Sequence, residues 1–289
     1  MLVHGNNLEQ KEAHATKYCD EESRRFLAEI RQRYNAWRQA NETLIGPNVA
    51  ITKKDIKIVE ARVRLLNEYK DFLDQQHYAE KFDSRSNLHS SVLEEFMFYL
   101  FRDMVTELSK HALLGKSHTF KDMFFKADSY GDMLLQPRLL IEKKDHDFAI
   151  GVKLEARFQC AGQELDQQDT FDIPAVAIEC KTYLDKTMLQ DASTAAEQLK
   201  HRNPNAMYIV VAEWLKLTES VNLRKFKIDQ IYVLRKQKNT DREFRYAETY
   251  RKNSIYADVV WHLFDTTRTF LTTPWEGGVN YGLTKGFLI

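Results

Sequence analysis

Asp147 stands at the head of a short apolar run, and further along the chain the segment Val176-Ala-Ile-Glu179-Cys180-Lys181 has the composition of a strand that carries one acid and one lysine. Successive side chains on a strand point to opposite faces, so Val176, Ile178 and Cys180 face a core while Ala177, Glu179 and Lys181 share the other surface. A carboxylate and an ammonium are thereby held side by side. If Asp147 is brought against them, two carboxylates and the backbone carbonyl of Cys180 make a hard, all-oxygen site that suits Mg²⁺ bound together with phosphate oxygens. Lys181 would then orient the attacking water or help to deprotonate it. The chemistry would be metal-assisted hydrolysis of a phosphodiester.

An acid two positions before a lysine is common in a chain that is 29% charged, and residues 9–11, 68–70 and 142–144 repeat it. The first lies in a polar N-terminal stretch. The second sits within the helical spacing Ile56, Val59, Val63, Leu66, Tyr69, Leu73, where glutamate and lysine ordinarily make a solvated face. The third is a real rival, because Glu142 and Lys144 follow the apolar run 139–141, with Asp132 upstream. What comes after it argues against it: a charged turn over residues 143–147 and then another strand-like run, 148–158. After Lys181, by contrast, come a helix-like segment over 185–201, an Asn-Pro-Asn turn and a buried-looking strand over 206–212. Asp172 fails as the first acid because its seven-residue separation from Glu179 on the same strand amounts to roughly 23 Å. Only a strand that returns alongside can bring its acid into contact, and the Asp147 run can do so.

Residues 144–151 (KDHDFAIG) and 177–188 (AIECKTYLDKTM) resemble the PD-(D/E)xK nuclease superfamily, and more narrowly the BbvCI-like type II restriction endonucleases, which are built from two related subunits and cut an asymmetric site. The resemblance implies an α/β fold, a restriction-endonuclease-like core with a central mixed sheet flanked by helices over residues 81–289; the helical N-terminal subdomain expected over 1–80 rests instead on the apolar spacing of its own residues. The resemblance also implies catalysis by Asp147, Glu179 and Lys181, with Mg²⁺ held by Asp147, Glu179 and the Cys180 carbonyl, on double-stranded DNA at a specific short sequence. His146 stands where the family motif has proline. One such site cuts one strand, so a double-strand break needs a dimer, with a related second subunit or with itself. Two other readings stay open: a nuclease of repair or mobile-element defence with the same site, and a non-catalytic DNA-binding partner subunit.

Nuclease cores of this kind often carry a further glutamate on the helix before the sheet. Here that helix runs from about residue 91 to 110. Ser91 and Glu94 match the S-x-x-E capping pattern, which gives Glu94 a structural task and leaves Glu95 beside the apolar stripe as the additional catalytic candidate. A surface acid favoured by the helix N-terminus explains Glu95 equally well. Gln198, on the helix after Lys181, is placed to support the site or simply to be solvated.

With 289 residues, no long apolar run and no signal-like beginning, the sequence reads as a cytoplasmic protein without a membrane span. Cys19, Cys160 and Cys180 show no paired-ligand spacing, which argues against a disulfide framework or a zinc site. Net charge is zero, yet residues 221–256 hold ten lysines and arginines against four acids, with Tyr232, Tyr246 and Tyr250 interleaved. Arg235, Lys236 and Lys238, which follow the strand-like run 228–234, are the preferred phosphate contacts, although a lysine-rich solvated edge has the same composition. Two helices, one with Phe26, Leu27, Ile30, Tyr34 and Trp37 in a stripe after residues 20–22 and one over about 52–78, cover the N-terminal third. Among the histidines only His146, beside Asp147, is near the proposed chemistry, where a phosphate contact and a polar turn are both open readings. No Gly-rich phosphate loop or Ser-His-Asp order appears.

Overall fold

Capping side chains start the helices that periodicity predicts. The Asp20 carboxylate accepts the Ser23 N–H, Thr52 and Asp55 form a reciprocal capping box, and Asp185 accepts the Met188 N–H. The computed structural model describes residues 2–82, 87–135, 138–159, 166–238, 249–275 and 278–286. In chain order it contains α1 (Val3–Glu12), α2 (Glu21–Thr43), α3 (Lys53–Leu73), α4 (Gln76–Lys81), α5 (Ser91–Leu108), β1 (Leu113–Lys126), α6 (Tyr130–Leu135), β2 (Arg138–Gln159), β3 (Asp166–Leu184), α7 (Lys186–Arg202), β4 (Met207–Leu215), β5 (Gln230–Val233), α8 (Ala257–Thr272) and α9 (Gly278–Lys285). The strands form one mixed sheet in sequence order. β1, β2 and β3 are antiparallel neighbours, whereas β3, β4 and β5 are parallel, so the step from β3 to β4 crosses over through α7.

The two faces of the sheet carry different layers. Phe148, Ile150, Val176, Ile178, Cys180, Ile209 and Val211 share one continuous apolar core with α1, α2, α3, α5 and α8. Ala177, Tyr208, Val210 and Ala212 meet Leu189, Ala192, Ala195, Ala196 and Leu199 of α7 on the other side. Strands β3, β4 and β5 alternate between these two cores, as the pleat requires. Helices on both sides of residue 80 share the larger core, and strands begin only after α5, at β1. No helix among the described residues is long and apolar enough to cross a membrane.

Two local expectations are corrected, and one element is added. Residues 143–147 are not a turn: β2 runs unbroken through them, because β1 lies alongside with His146 opposite Ser117 and Lys143 opposite Phe120, and its backbone ladder holds the charged stretch extended. The anticipated second helix divides into α3 and α4 at Asp74, whose backbone caps α3. The polar N-terminal stretch is helical, as α1. A single residue permits the strand crossing that follows the charged stretch: at Gly151 a bulge shifts the β2–β3 register, and a Cβ there would collide with the Ile173 carbonyl oxygen.

Arg235 is also corrected. It is fully buried, so it contacts no phosphate. Its guanidinium lies over the Trp214 ring, 4.8 Å from the centroid, donates to Glu213 at 3.0 Å and donates to the Asn253 carbonyl at 2.6 Å. Lys70 reaches the other oxygen of Glu213 at 2.7 Å, and Asp74 gathers Lys252 at 3.0 Å and His89 at 3.2 Å. Burial opposes the charge on Asp74, but Lys70 and the hydrogen bond from His89 outweigh it and hold the carboxyl well below its usual range. This cluster ties α3, β4 and the loop before α5 together. Lys236 is exposed and ion-paired with Asp258, Lys238 is exposed, and residues 239–248 of the basic segment, including Arg242, Arg245 and Tyr246, lie outside the described residues, as does Cys160.

Removing one partner of a buried ionic cluster leaves its counter-charge uncompensated. Arg235→Ala should therefore lower the unfolding free energy by about 3–5 kcal/mol, measured by urea denaturation. An unchanged urea midpoint would show that the cluster does not hold these elements together.

Candidate active site

The antiparallel ladder between β2 and β3 begins at the pair Phe148 and Ile178, so the residues just beyond it, Asp147 and Glu179, stand opposite each other where the two strands separate. There the Asp147 side chain replaces the missing ladder partner: its Oδ2 accepts the Cys180 N–H at 2.9 Å. Lys181 donates to Glu179 Oε1 at 2.6 Å and lies 3.5 Å from Asp147 Oδ2, which makes it a bridge between the two carboxylates. Tyr208, on the adjacent parallel strand, donates to the second oxygen of Glu179 at 3.3 Å. All three members of the sequence-predicted triad are thus in contact on two neighbouring strands.

Each member is partly accessible, with side-chain exposures of 28%, 21% and 26% for Asp147, Glu179 and Lys181. Asp147, Cys180 and Lys181 line a cleft of about 670 Å³ whose other walls come from α1, the start of α5, Lys116 and the first turn of α7. Burial and the facing Glu179 raise the pKa of Asp147. Burial disfavours the charge of Lys181, yet Asp147 and Glu179 more than offset it and the ammonium is held protonated. Burial, reinforced by Glu179, raises Tyr208 as well, so its phenol stays a donor.

The structure reverses the roles expected for the two glutamates of α5. Glu95 is fully buried and cannot reach a metal-bound water: it accepts the backbone N–H groups of His4 and Gly5 at 2.9 and 3.1 Å and the hydroxyls of Tyr34 and Tyr99 at 3.0 and 3.1 Å. Glu94 faces the cleft instead. Burial, and behind it the charge of Asp147, raises its pKa to about 7. The capping box that would have occupied Glu94 does not form, because Ser91 is already inside the helix and its hydroxyl donates to the Leu88 carbonyl while meeting His4. The helix starting one residue earlier than a cap at Ser91 would require was the missing signal.

The remaining candidates separate cleanly. His146 is buried against Tyr208, 5.6 Å between ring centroids, and burial lowers its pKa to about 4, so it is a neutral packing residue without access to phosphate. Asp172 accepts the His118 N–H at 2.7 Å and pairs with Lys153, which fastens β1 to β3. Glu142 pairs with Lys121, and Asp132 accepts the Ser129 hydroxyl, so that rival set is not assembled. Gln198 is absent from the cleft walls, to which α7 contributes Met188. Among the described residues no group of three metal-ligating side chains closes into a cage. Two carboxylates side by side on neighbouring strands, one of them lining the cleft, nevertheless fit Mg²⁺, which keeps several waters and shares its coordination with substrate phosphates.

Comparison with known proteins agrees with this architecture. No curated protein sequence matches the chain. A structure described as the native BbvCI A2B2 tetramer superposes with a TM-score of 0.67 at 22% identity, covering 95% of this chain and 97% of that one, and so shares its fold. The family model of the Bpu10I restriction endonuclease matches residues 85–275, a span that contains Glu94, Asp147, Glu179 and Lys181, and the chain belongs to the Bpu10I restriction endonuclease family.

Proposed function

We propose that this chain is a catalytic subunit that hydrolyses one phosphodiester bond of duplex DNA at a specific short sequence, with Mg²⁺ held by Asp147, Glu179 and the Cys180 carbonyl. The observation that carries the reading is the contact of Asp147, Glu179 and Lys181, from two separate strands, with Asp147 and Lys181 at the wall of one cleft and Glu179 against Lys181 beside it, in a restriction endonuclease family member. Bound there, a divalent cation would polarise the phosphate and acidify a water. The protein's own groups have distinct tasks. Asp147 and Glu179 are repelled by each other and by DNA phosphates until a cation compensates them. Lys181, kept cationic by both carboxylates, is suited to orient the water and stabilise charge on the attacked phosphate, and poorly suited to accept a proton. Glu94 has a pKa near neutrality and shares the cleft, so it is the side chain best matched to take the proton that water loses.

A single site cuts a single strand, and a double-strand break then requires a second subunit, related or identical. The A2B2 composition of the similar structure supports a multi-subunit assembly here too. Lys238 and Lys236 are exposed, and in the complex either can exchange water or, for Lys236, Asp258 for a DNA phosphate.

The direct test is digestion of supercoiled plasmid with Mg²⁺ by this chain and its partner subunit. In that assembly Lys181→Ala should leave DNA binding intact and yield nicked circles with the nick on one strand, if the two subunits differ. Strand-specific mapping reads the result. Linear product at the parent rate would remove Lys181 from catalysis, and nicks on both strands would show that sites are not assigned one to each strand.

Glu94 also makes a stability prediction. Its folded pKa of about 7 lies above the ordinary 4.5, so the native state binds the extra proton between those values and Glu94 costs nothing below the window. As pH rises through about 7 its ionisation inside the cleft becomes a full penalty. In metal-free buffer Glu94→Gln should accordingly be more stable than the parent at pH 8, by on the order of 1–3 kcal/mol, with the difference shrinking towards pH 5. Thermal melts across that range check it, and a difference independent of pH would mean that Glu94 is not held protonated.

A further inference from the structure

The N-terminal helix α1 forms a wall of the catalytic cleft with Val3, Asn6, Asn7 and Gln10. These positions recur at i, i+3, i+4 and i+7, so they make one stripe along the helix. The opposite side is fastened to the core. Glu95 receives the first N–H groups, the His4 imidazole bridges the Ser91 hydroxyl at 2.9 Å and the Tyr69 hydroxyl at 2.7 Å, and Leu8 is fully buried. Gly5 leaves just enough room for the Tyr34 hydroxyl. Gly5, Asn6 and Asn7 are poor helix formers, and a helix this short is not stable by itself. A buried carboxylate and a buried histidine therefore hold in place a segment whose own sequence resists being a helix.

Helix stability does not account for amides on the cleft side, where alanine or glutamate would serve better. Phosphate binding does not account for them either. None of the four stripe side chains is itself a cation: Lys11, which is buried, donates to Asn7 at 2.7 Å and does not line the cleft, whose positive charges come from Lys116 and Lys181 on strands. A side-chain amide offers one donor and one acceptor together, which matches the N6 and N7 edge of adenine, and a valine suits the methyl group of thymine. We propose that the α1 stripe is a base-reading element, with Asn6 and Gln10 as specificity-determining residues for the DNA strand presented to Asp147 and Lys181. The proposal rests on the nuclease reading above and adds to it a source of sequence preference.

The experiment uses the chain with its partner subunit and selects bound duplexes from a randomised pool in an Asp147→Ala background, so that bound DNA stays intact. Asn6→Ala and Gln10→Ala are tested singly and together, with Glu9→Ala, which is exposed on the same helix outside the cleft, as control. Alanine favours the helix, and matched thermal melts establish that α1 stays seated. The cleft-facing variants should lose base preference at one or two positions of the selected consensus, by about tenfold or more at each, while Glu9→Ala keeps the parent consensus. An unchanged consensus in the combined variant, an even loss of affinity over all sequences, or a parent that selects no consensus would overturn the proposal. A protein with Asp147 intact that selects a consensus yet leaves plasmid whole with Mg²⁺ contradicts the nuclease reading alone.

Discussion

The pairing of Phe148 with Ile178 sets the register on which the site depends. It ends the β2–β3 ladder one residue before Asp147 and leaves two carboxylates opposite each other at the mouth of the strand pair. Like charges placed directly across two strands are destabilising, and here burial raises the cost. Lys181 answers that cost from two positions further along β3, and the Cys180 N–H answers it from the backbone. A slip of one residue would turn Asp147 to the opposite face of the sheet. The register is defended by Phe148 and Ile178 themselves, both buried in the larger core, so that packing on one face of the sheet fixes chemistry at its edge.

Apolar burial holds the helical layer to the sheet but does not by itself set angles, because it is non-directional. Direction comes from buried polar groups. Glu95 draws together α1, α2 and α5 through four hydrogen bonds, and the cluster of Lys70, Asp74, His89, Glu213 and Arg235 joins α3, β4 and the loop that enters α5. Both networks end next to the cleft, one at α1 and the other at the turn before Ser90 and Ser91. Charges that look available for DNA or metal in the sequence are thus consumed in positioning the walls of the site, while Glu94 and the amides of α1 are left to face it.

The division between what was legible and what was not follows the range of the interactions involved. Alternation along residues 176–181, the order strand, hairpin, strand, helix, strand, and the need for an acid on a returning strand are local patterns, and they identified Asp147, Glu179 and Lys181 as neighbours in a mixed-sheet α/β core. The extended state of residues 143–147 was not legible, because it is imposed by β1, a strand contributed from elsewhere in the chain. Nor was α1, whose own propensities oppose a helix and whose order is supplied by Glu95, Tyr69 and Ser91, all distant in sequence.

Glu94 and Glu95 mark the boundary most clearly. By itself the sequence determined that an acid near the start of α5 lies close to the sheet, since the apolar stripe of that helix requires it to pack there. Consecutive helical positions differ by about 100° in direction, so Glu95, in phase with Val92 and Tyr99, meets the core while its neighbour Glu94 meets the cleft. Arg235 follows the same logic at the end of β5, where a basic residue becomes interior because Glu213 and Trp214 of β4 are already waiting for it. Composition and period specify elements and their apolar faces. Only tertiary packing assigns each charged side chain its partner, because that choice depends on groups brought close by the fold and not by the chain.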